Sequence, residues 1–276
     1  QESPKLLLII GGGPIGCEMA QAFAMLGTRV SLFEAENLLR LDDREAVSLL
    51  QDNLQQTGVS FFLQAKVEHI RQKGQDVELT YCLDEQKYTI TGSHVLVAVG
   101  RRPNIDKLNL ETVGIATERG GIKLDKRLRT PMKHIFAIGD VIGKQQFTHT
   151  ANAHAGIVYR QIAFKLPAKW DDSFLPSVTY TNPELAKVGL TVEECQEKGI
   201  RHSVFQSEFI DNDRAVAEGA TECKIKVIIN EKGRVIGVTI LGSHAGELLL
   251  PWIQIMREKK SLRSMTDVII PYPTLG

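Results

Sequence analysis

The sequence has no excess of charge of either sign and no long run of apolar residues. Its 276 residues include 33 Lys plus Arg and 33 Asp plus Glu, so the formal net charge is zero. Nucleic acids and anionic membranes are bound through basic surfaces, so this balance argues against both as partners. A membrane-spanning helix needs about 20 consecutive apolar residues, and no run in this sequence approaches that length. Residues 1–16 also lack the pattern of a signal peptide. We therefore expect a small-molecule ligand and a cytoplasmic location.

Cysteines are few and widely spaced. They are Cys17, Cys82, Cys195 and Cys223, and no two have the short spacing of a zinc site or a local redox disulfide. Free thiols in a reducing compartment are the expected state. Cys17 lies near the start of a predicted helix, where a thiol pKa can fall, but its interpretation as a small buried apolar residue is favoured.

Apolar periodicity predicts alternating strands and helices in the first hundred residues, which is typical of a parallel sheet with right-handed crossovers. The predicted strands are 5–10, 29–34 and 94–99, the predicted helices are 14–26 and 42–56, and residues 59–90 are predicted to form an inserted antiparallel meander. A strand at 134–138 and a helix at 148–165 follow. Beyond a boundary near 165–176, antiparallel strands with helices indicate an α+β region.

A glycine-rich segment follows the first predicted strand. Gly11, Gly13 and Gly16 form a G-x-G-x-x-G pattern at the start of a helix, and Glu34 lies 21 residues after Gly13 at the end of the second strand. The three glycines suit a tight turn, the approach of a pyrophosphate and close helix packing, while the acid suits the adenosine ribose hydroxyls. The helix N-terminus would hold the phosphates. A glycine turn without a ligand is the weaker alternative.

Glu34 also predicts which nicotinamide cofactor binds. A 2′-phosphate would meet its carboxylate as a like charge, and residues 35–39 contain no Lys or Arg to neutralise it. The sequence therefore favours NAD(H) over NADP(H).

Four motifs occur in the order found in flavin-dependent pyridine nucleotide-disulfide oxidoreductases, which the chain resembles along its whole length. They are the glycine motif through Glu18, VAVGRRPN at 97–104, IFAIGD at 135–140 and YPTL at 272–275. This family includes dihydrolipoamide dehydrogenase, glutathione reductase and mercuric reductase. Segments 147–151, 180–185 and 212–215 resemble its mercuric reductase-like and dihydrolipoamide dehydrogenase-like branch most.

The resemblance implies an α/β fold made of three parts. Residues 1–102 would be a Rossmann-like NAD domain with the inserted β-meander, residues 103–170 the returning part of the FAD domain, and residues 171–276 an α+β dimerisation domain. It further implies a homodimer.

The resemblance also implies the cofactor-binding residues. For NAD(H) they are Gly11, Gly12, Gly13, Pro14, Ile15, Gly16, Glu18, Glu34, Val67 and Gly100, and for FAD they are Asp140, Gln146, Phe147, Thr148 and His149. Asp140 follows a predicted apolar strand, and the carboxyl ends of strands are where open α/β sheets bind ligands. A capping or turn acid is the alternative for Asp140.

The chain also departs from the family pattern. A separate FAD-binding fingerprint and a closely spaced cysteine pair are not found, so the first half of the flavin domain is expected to be missing from this chain. Tyr272 stands where many members have a catalytic base histidine, and a phenol with a pKa near ~10 is a weak base. Glutathione reductase and dihydrolipoamide dehydrogenase activities are therefore disfavoured, and Tyr272 is the candidate catalytic residue.

Three functional hypotheses follow. The first is a fragment of an NADH-dependent, FAD-containing oxidoreductase that passes electrons to a thiol or disulfide, a metal ion or another small acceptor. In that case the chain by itself is expected to be inactive, with FAD absent or weakly held. The alternatives are a non-catalytic nucleotide-binding and dimerisation module, and a soluble pyridine nucleotide transhydrogenase, which Glu34 argues against.

Overall fold

The computed structural model describes residues 3–118 and 120–276. The chain divides into two compact units, the first formed by residues up to 100 together with 176–276, and the second by residues 101–175. The three-part division at 102 and 170 stays a prediction. Among the described residues, no helix is both long enough and apolar enough to cross a membrane.

Residues up to 100 form a parallel sheet, two helices and an antiparallel meander. In chain order the elements are β1 (Leu6–Ile10), α1 (Pro14–Met25), β2 (Arg29–Phe33), α2 (Arg44–Gln56), β3 (Val59–Phe62), β4 (Lys66–Lys73), β5 (Asp76–Leu83), β6 (Gln86–Gly92) and β7 (His94–Val97). The parallel sheet has the order β3-β2-β1-β7, and the meander has the order β4-β5-β6. The predicted meander is confirmed except at its start, because 59–62 pairs with β2 in the parallel sheet.

Strand β1 is buried on both faces, as expected for a central parallel strand. Leu7 and Ile9 pack into a cluster with residues of α1 and α2, such as Cys17 and Leu50. The alternate residues of β1 pack on the other side with the meander. Gly11 directly follows the last residue of β1, so the glycine segment lies at the carboxyl edge of the parallel sheet.

The second unit contains little regular structure. Its elements are β8 (Thr117–Glu118), β9 (Gly121–Ile122) and the long helix α3 (Thr148–Ala163), with 3-10 turns at Leu110–Val113 and Gly139–Ile142. The predicted strand at 134–138 is wrong, because only an isolated bridge joins Phe136 to Arg129. The backbone there is held by a turn instead, in which the single proton of the Thr130 hydroxyl is shared between the carbonyl oxygens of Met132 and Ile135, at 3.0 and 3.1 Å.

Residues 176–276 form a five-stranded antiparallel sheet with short helices. The elements are β10 (Pro176–Thr179), β11 (Glu184–Gly189), α4 (Val192–Glu197), β12 (His202–Glu208), α5 (Asp213–Glu218), β13 (Lys224–Asn230), β14 (Val235–Gly242), α6 (Ala245–Leu248) and α7 (Leu250–Arg257), with 3-10 turns at Phe209–Asp211 and Leu262–Met265. The strand order is β10-β11-β14-β13-β12. The mixed parallel and antiparallel architecture confirms the predicted α/β fold class.

The antiparallel sheet shares a core with the parallel sheet. Leu185 and Leu241 are buried in the same apolar cluster as Ile9 and Leu50. Helix α1 is also held by polar contacts, since the Gln21 side chain donates to the Asn182 carbonyl and accepts its amide N–H, both at 2.7 Å. The parallel sheet and the five-stranded antiparallel sheet are therefore continuous in packing.

Candidate functional site

The glycine segment makes the tight turn that its spacing predicts. Gly11 has φ +108°, and a Cβ atom there would lie 2.5 Å from the Ala98 carbonyl oxygen. A Cβ on Gly16 would lie 1.9 Å from the Gly11 carbonyl oxygen. Both positions therefore require glycine, Gly11 for its backbone angle and its close approach to the loop after β7, and Gly16 for the packing of α1 on the turn.

Gly13 differs from these two glycines because nothing lies within 4 Å of the position of its Cβ. It precedes α1, Pro14 begins the helix, and no side chain among the described residues caps it. The first amides of a helix lack intrahelical partners, so Ile15 and Gly16 present N–H groups at the positive end of the helix dipole. An open glycine backbone beside these amides can accommodate a pyrophosphate.

The Glu34 carboxylate is fixed beside the turn by two backbone amides. Its Oε2 accepts the Gly12 N–H at 2.6 Å, and its Oε1 accepts the Glu36 N–H at 2.9 Å. A Cβ on Gly12 would lie 3.0 Å from the Glu34 side chain, which explains a glycine there. A carboxylate has about four acceptor positions, so two remain for ribose hydroxyls.

The other residues predicted to contact NAD(H) have different surroundings. Glu18 Oε1 accepts the Tyr180 N–H at 2.8 Å, which ties α1 to the end of β10. Val67 is half-buried against the apolar cluster beneath the meander. Gly100 has φ +110° with open space around it, so the backbone angle alone favours glycine. Their nucleotide contacts stay predictions.

Cys17 is fully buried, which confirms its interpretation as a small apolar residue. Burial, together with the neighbouring carboxylates of Glu18, Asp42 and Glu34, raises the pKa of its thiol to about 12. The thiol is therefore not a reactive nucleophile.

A second set of predicted residues lies in the unit of residues 101–175. Asp140 lies in a 3-10 turn and accepts a hydrogen bond from the Arg101 guanidinium. Arg101 also donates to the Gln146 carbonyl oxygen at 3.2 Å, so one side chain joins the two residues. The sequence did not identify this role of Arg101, because it lies 39 residues from Asp140.

Helix α3 begins beside this pair without a side-chain cap. Phe147 precedes the helix and its ring stacks on the His149 ring, with 5.0 Å between centroids. Thr148 is exposed in the first turn, whereas Thr150 is buried and its Oγ1 has no hydrogen-bond partner among the described atoms. His154 Nδ1 accepts the Gly139 N–H at 3.2 Å, so this histidine binds a nearby backbone group. Burial lowers the pKa of His154, which favours the neutral ring.

Tyr272 is exposed, and its hydroxyl donates to Asp213 Oδ2 at 2.9 Å. This hydrogen bond to a carboxylate raises the pKa of Tyr272 above its usual value. Tyr272 is therefore protonated at neutral pH, and its proton is shared with the Asp213 carboxylate. Asp213 lies 59 residues upstream, in the segment 212–215 that resembles the family, but the sequence did not show that it binds Tyr272.

Family models match most of the chain. Residues 1–155 match the model described as pyridine nucleotide-disulphide oxidoreductase, and residues 175–276 match the dimerisation domain of the same enzymes.

Similar proteins match the chain from end to end. A dihydrolipoyl dehydrogenase of Chlamydia muridarum is 35% identical over 279 residues, covering 100% of this chain and 59% of the relative. A mercuric reductase of Staphylococcus aureus is 31% identical, covering 100% of this chain and 51% of the relative. The structure of an HOCl-induced flavoprotein disulfide reductase from Escherichia coli matches with a TM-score of 0.89 at 30% identity, over 99% of this chain and 63% of that one. The chain thus spans about 60% of the length of such relatives.

Proposed function

Because the chain belongs to the family of pyridine nucleotide-disulphide oxidoreductases, we propose that it is part of an NADH-dependent flavoprotein oxidoreductase. The family depends on FAD and on NAD or NADP, and the proposal for this chain is that Gly11–Gly16 and Glu34 hold NADH. When bound, FAD supplies hydride acceptance from NADH and electron transfer to a thiol or disulfide, a metal ion or another small acceptor.

The observation that carries the proposal is the geometry of the glycine turn. Gly13 is open where a pyrophosphate must approach, whereas Gly16 is packed against Gly11 so closely that it sets the direction of α1. Glu34 is already oriented by the Gly12 amide, so it needs little rearrangement to accept ribose hydrogen bonds. These residues orient the nucleotide, which is the part that the protein plays in hydride transfer.

The residues of the second unit fit part of a flavin site. The uncapped N-terminus of α3 offers amides, and the buried Thr150 hydroxyl lacks a partner among the described residues. Asp140 is held by Arg101 through Oδ2, so Oδ1 remains an acceptor for a ribityl hydroxyl. We propose that Asp140 and the first turn of α3 contact FAD, with Gln146, Phe147 and His149 alongside.

We also propose that the protein forms a homodimer through residues 175–276, the region matched by the dimerisation model. Several large apolar side chains of this region are exposed, including Leu250 and Ile269, the latter with 96% of its surface accessible. Exposed apolar side chains of this kind are typical of protein interfaces.

Flavin spectroscopy on the longer polypeptide that contains this chain tests the oxidoreductase proposal. The purified protein should be yellow, and NADH should bleach the flavin absorbance band without oxygen. Adding a disulfide, mercuric ion or quinone acceptor in turn should restore the band where the acceptor is a substrate. A flavin that NADH does not reduce would contradict the proposal, and NADH binding without any flavin would favour a nucleotide-binding module instead.

We expect NADH to bind at least about tenfold more tightly than NADPH, because the Glu34 carboxylate repels a 2′-phosphate. Glu34→Gln removes the charge but keeps an acceptor oxygen, so the ratio of the two dissociation constants should move toward one. Glu36→Gln is the matched control, since Glu36 pairs with Arg40 at 3.5 Å on the exposed surface. Tighter binding of NADPH to the unmodified protein in fluorescence titrations would refute the NADH assignment.

A further inference from the structure

Three lysines of the antiparallel sheet reach toward the start of α2. Lys187 on β11 and Lys226 on β13 both pair with Thr239 of the strand between them, so they lie in one row on the same face. Lys224 is two residues from Lys226 and shares that face. We call these three residues the lysine clamp, because their ammonium groups bind oxygen atoms of residues 41–45.

Lys226 makes the most buried contacts of the lysine clamp. Its Nζ lies 2.7 and 2.8 Å from the two carboxylate oxygens of Asp43, and 2.8 Å from Glu45 Oε2. Asp43 is also the N-cap of α2, because its Oδ1 accepts the Ala46 N–H at 3.0 Å. Asp43 has only 1% of its side chain exposed and Lys226 only 9%. Removing either partner of an ion pair buried this deeply would leave an uncompensated charge and lower the free energy of unfolding.

The other two lysines hold the adjacent residues. Lys187 donates to the Leu41 carbonyl oxygen and lies 3.2 Å from Asp42 Oδ1. Lys224 binds Glu45, and hydrogen bonds from both Lys224 and Lys226 lower the pKa of Glu45 to about 2. Residues 41–45 therefore contain three acidic side chains, and each forms an ion pair with a lysine of the antiparallel sheet.

Residues 41–45 are connected to the glycine turn through Arg44. The Arg44 guanidinium donates to the carbonyl oxygens of Leu38, at 2.9 Å, and of Leu39. The Leu39 N–H in turn donates to the Gly12 carbonyl oxygen at 2.9 Å. The N–H of Gly12 donates in turn to Glu34 Oε2. A continuous set of polar contacts thus connects the start of α2 with the predicted ribose acid.

We propose that Lys226 is a positioning residue for the adenosine-ribose end of the nucleotide site, acting through Asp43, α2 and the Arg44-held loop on Gly12 and Glu34. The inference rests on the proposed function, since it assumes that NADH binds at Glu34. It gives the antiparallel sheet a part in cofactor affinity in addition to its part in assembly.

The experiment measures dissociation constants of NADH, and of an NADH analogue that lacks both hydroxyls of the adenosine ribose, for the 276-residue chain and its Lys226→Met variant. Loss of a hydrogen bond to a charged group corresponds to a weakening of about tenfold. We expect Lys226→Met to weaken NADH binding by about that factor while binding the analogue as the unmodified chain does. Lys226→Arg should restore most of the affinity. Lys232→Met, in the exposed turn between β13 and β14, is the control and should change neither ligand.

Each outcome has a separate meaning. If the unmodified chain does not bind NADH, the proposed function fails. If the unmodified chain binds NADH and a folded Lys226→Met variant binds it equally well, or loses affinity equally for NADH and the analogue, the positioning role is overturned. Should Lys226→Met not fold, Lys187→Met decides the question, because Lys187 is less buried and grips the same segment. Lys187→Met should also weaken NADH binding, and it should leave the dissociation constant of the analogue unchanged.

Discussion

Gly16→Ala is expected to destabilise the protein by about 3 kcal/mol and to weaken NADH binding by about 100-fold. A Cβ at position 16 would lie 1.9 Å from the Gly11 carbonyl oxygen, where ordinary contacts are 3.4–4 Å. The neighbour is backbone, so no side-chain rotation relieves the clash, and either α1 or the turn must move by more than an ångström. Urea denaturation gives the free energy of unfolding, and calorimetric titration gives the affinity.

Gly13→Ala is the matched control for this prediction. Its backbone angles, φ −78° and ψ −176°, suit any residue, and no atom lies within 4 Å of the new Cβ. We therefore expect the free energy of unfolding to change by less than about 1 kcal/mol, while the methyl group obstructs the pyrophosphate and weakens NADH binding by at least about tenfold. A Gly16→Ala variant with unchanged stability would show that the turn is not as closely packed as the structure indicates.

The glycine turn illustrates what the sequence could predict. Local spacing identified the strand, the turn and the helix, because backbone constraints act over a few residues, and it placed Glu34 at the end of the second strand. The same reasoning failed at 134–138, where an apolar run suggested a strand but only Phe136 forms a bridge and the Ile135 carbonyl oxygen is bound by Thr130. It also failed at 59–62, since an edge strand of four residues does not reveal whether its partner runs parallel.

Contacts between residues far apart in the sequence account for most of what was missed. Asp213 binds Tyr272 across 59 residues, and Lys226 binds Asp43 across 183. The alternation of Lys224 and Lys226 along β13 resembles a solvent-facing strand, because lysine is rarely buried. Only the packing of α2 against the antiparallel sheet makes that face an interior one, and one sequence contains no signal for such a pairing.

Asp43→Ala is expected to lower the free energy of unfolding by about 3–5 kcal/mol, a second large effect with a different cause. The substitution leaves the Lys226 ammonium buried beside Glu45 alone, and it removes the N-cap hydrogen bond to the Ala46 amide. An N-cap by itself contributes about 1 kcal/mol. Most of the loss should therefore come from the buried charge, and urea denaturation at neutral pH measures it.

Thr191→Ala separates the two contributions to the Asp43 prediction. Thr191 is a buried N-cap of α4 that accepts the Glu194 N–H at 3.2 Å, and its hydroxyl is neutral. It should cost about 1 kcal/mol, whereas Asp43→Ala should cost clearly more. The double variant Asp43→Ala with Lys226→Met removes both charges, so it should be less destabilised than the sum of the two single variants. Additive effects, or equal losses for Asp43→Ala and Thr191→Ala, would mean that the ion pair is not a buried unit and that α2 is held by apolar packing alone.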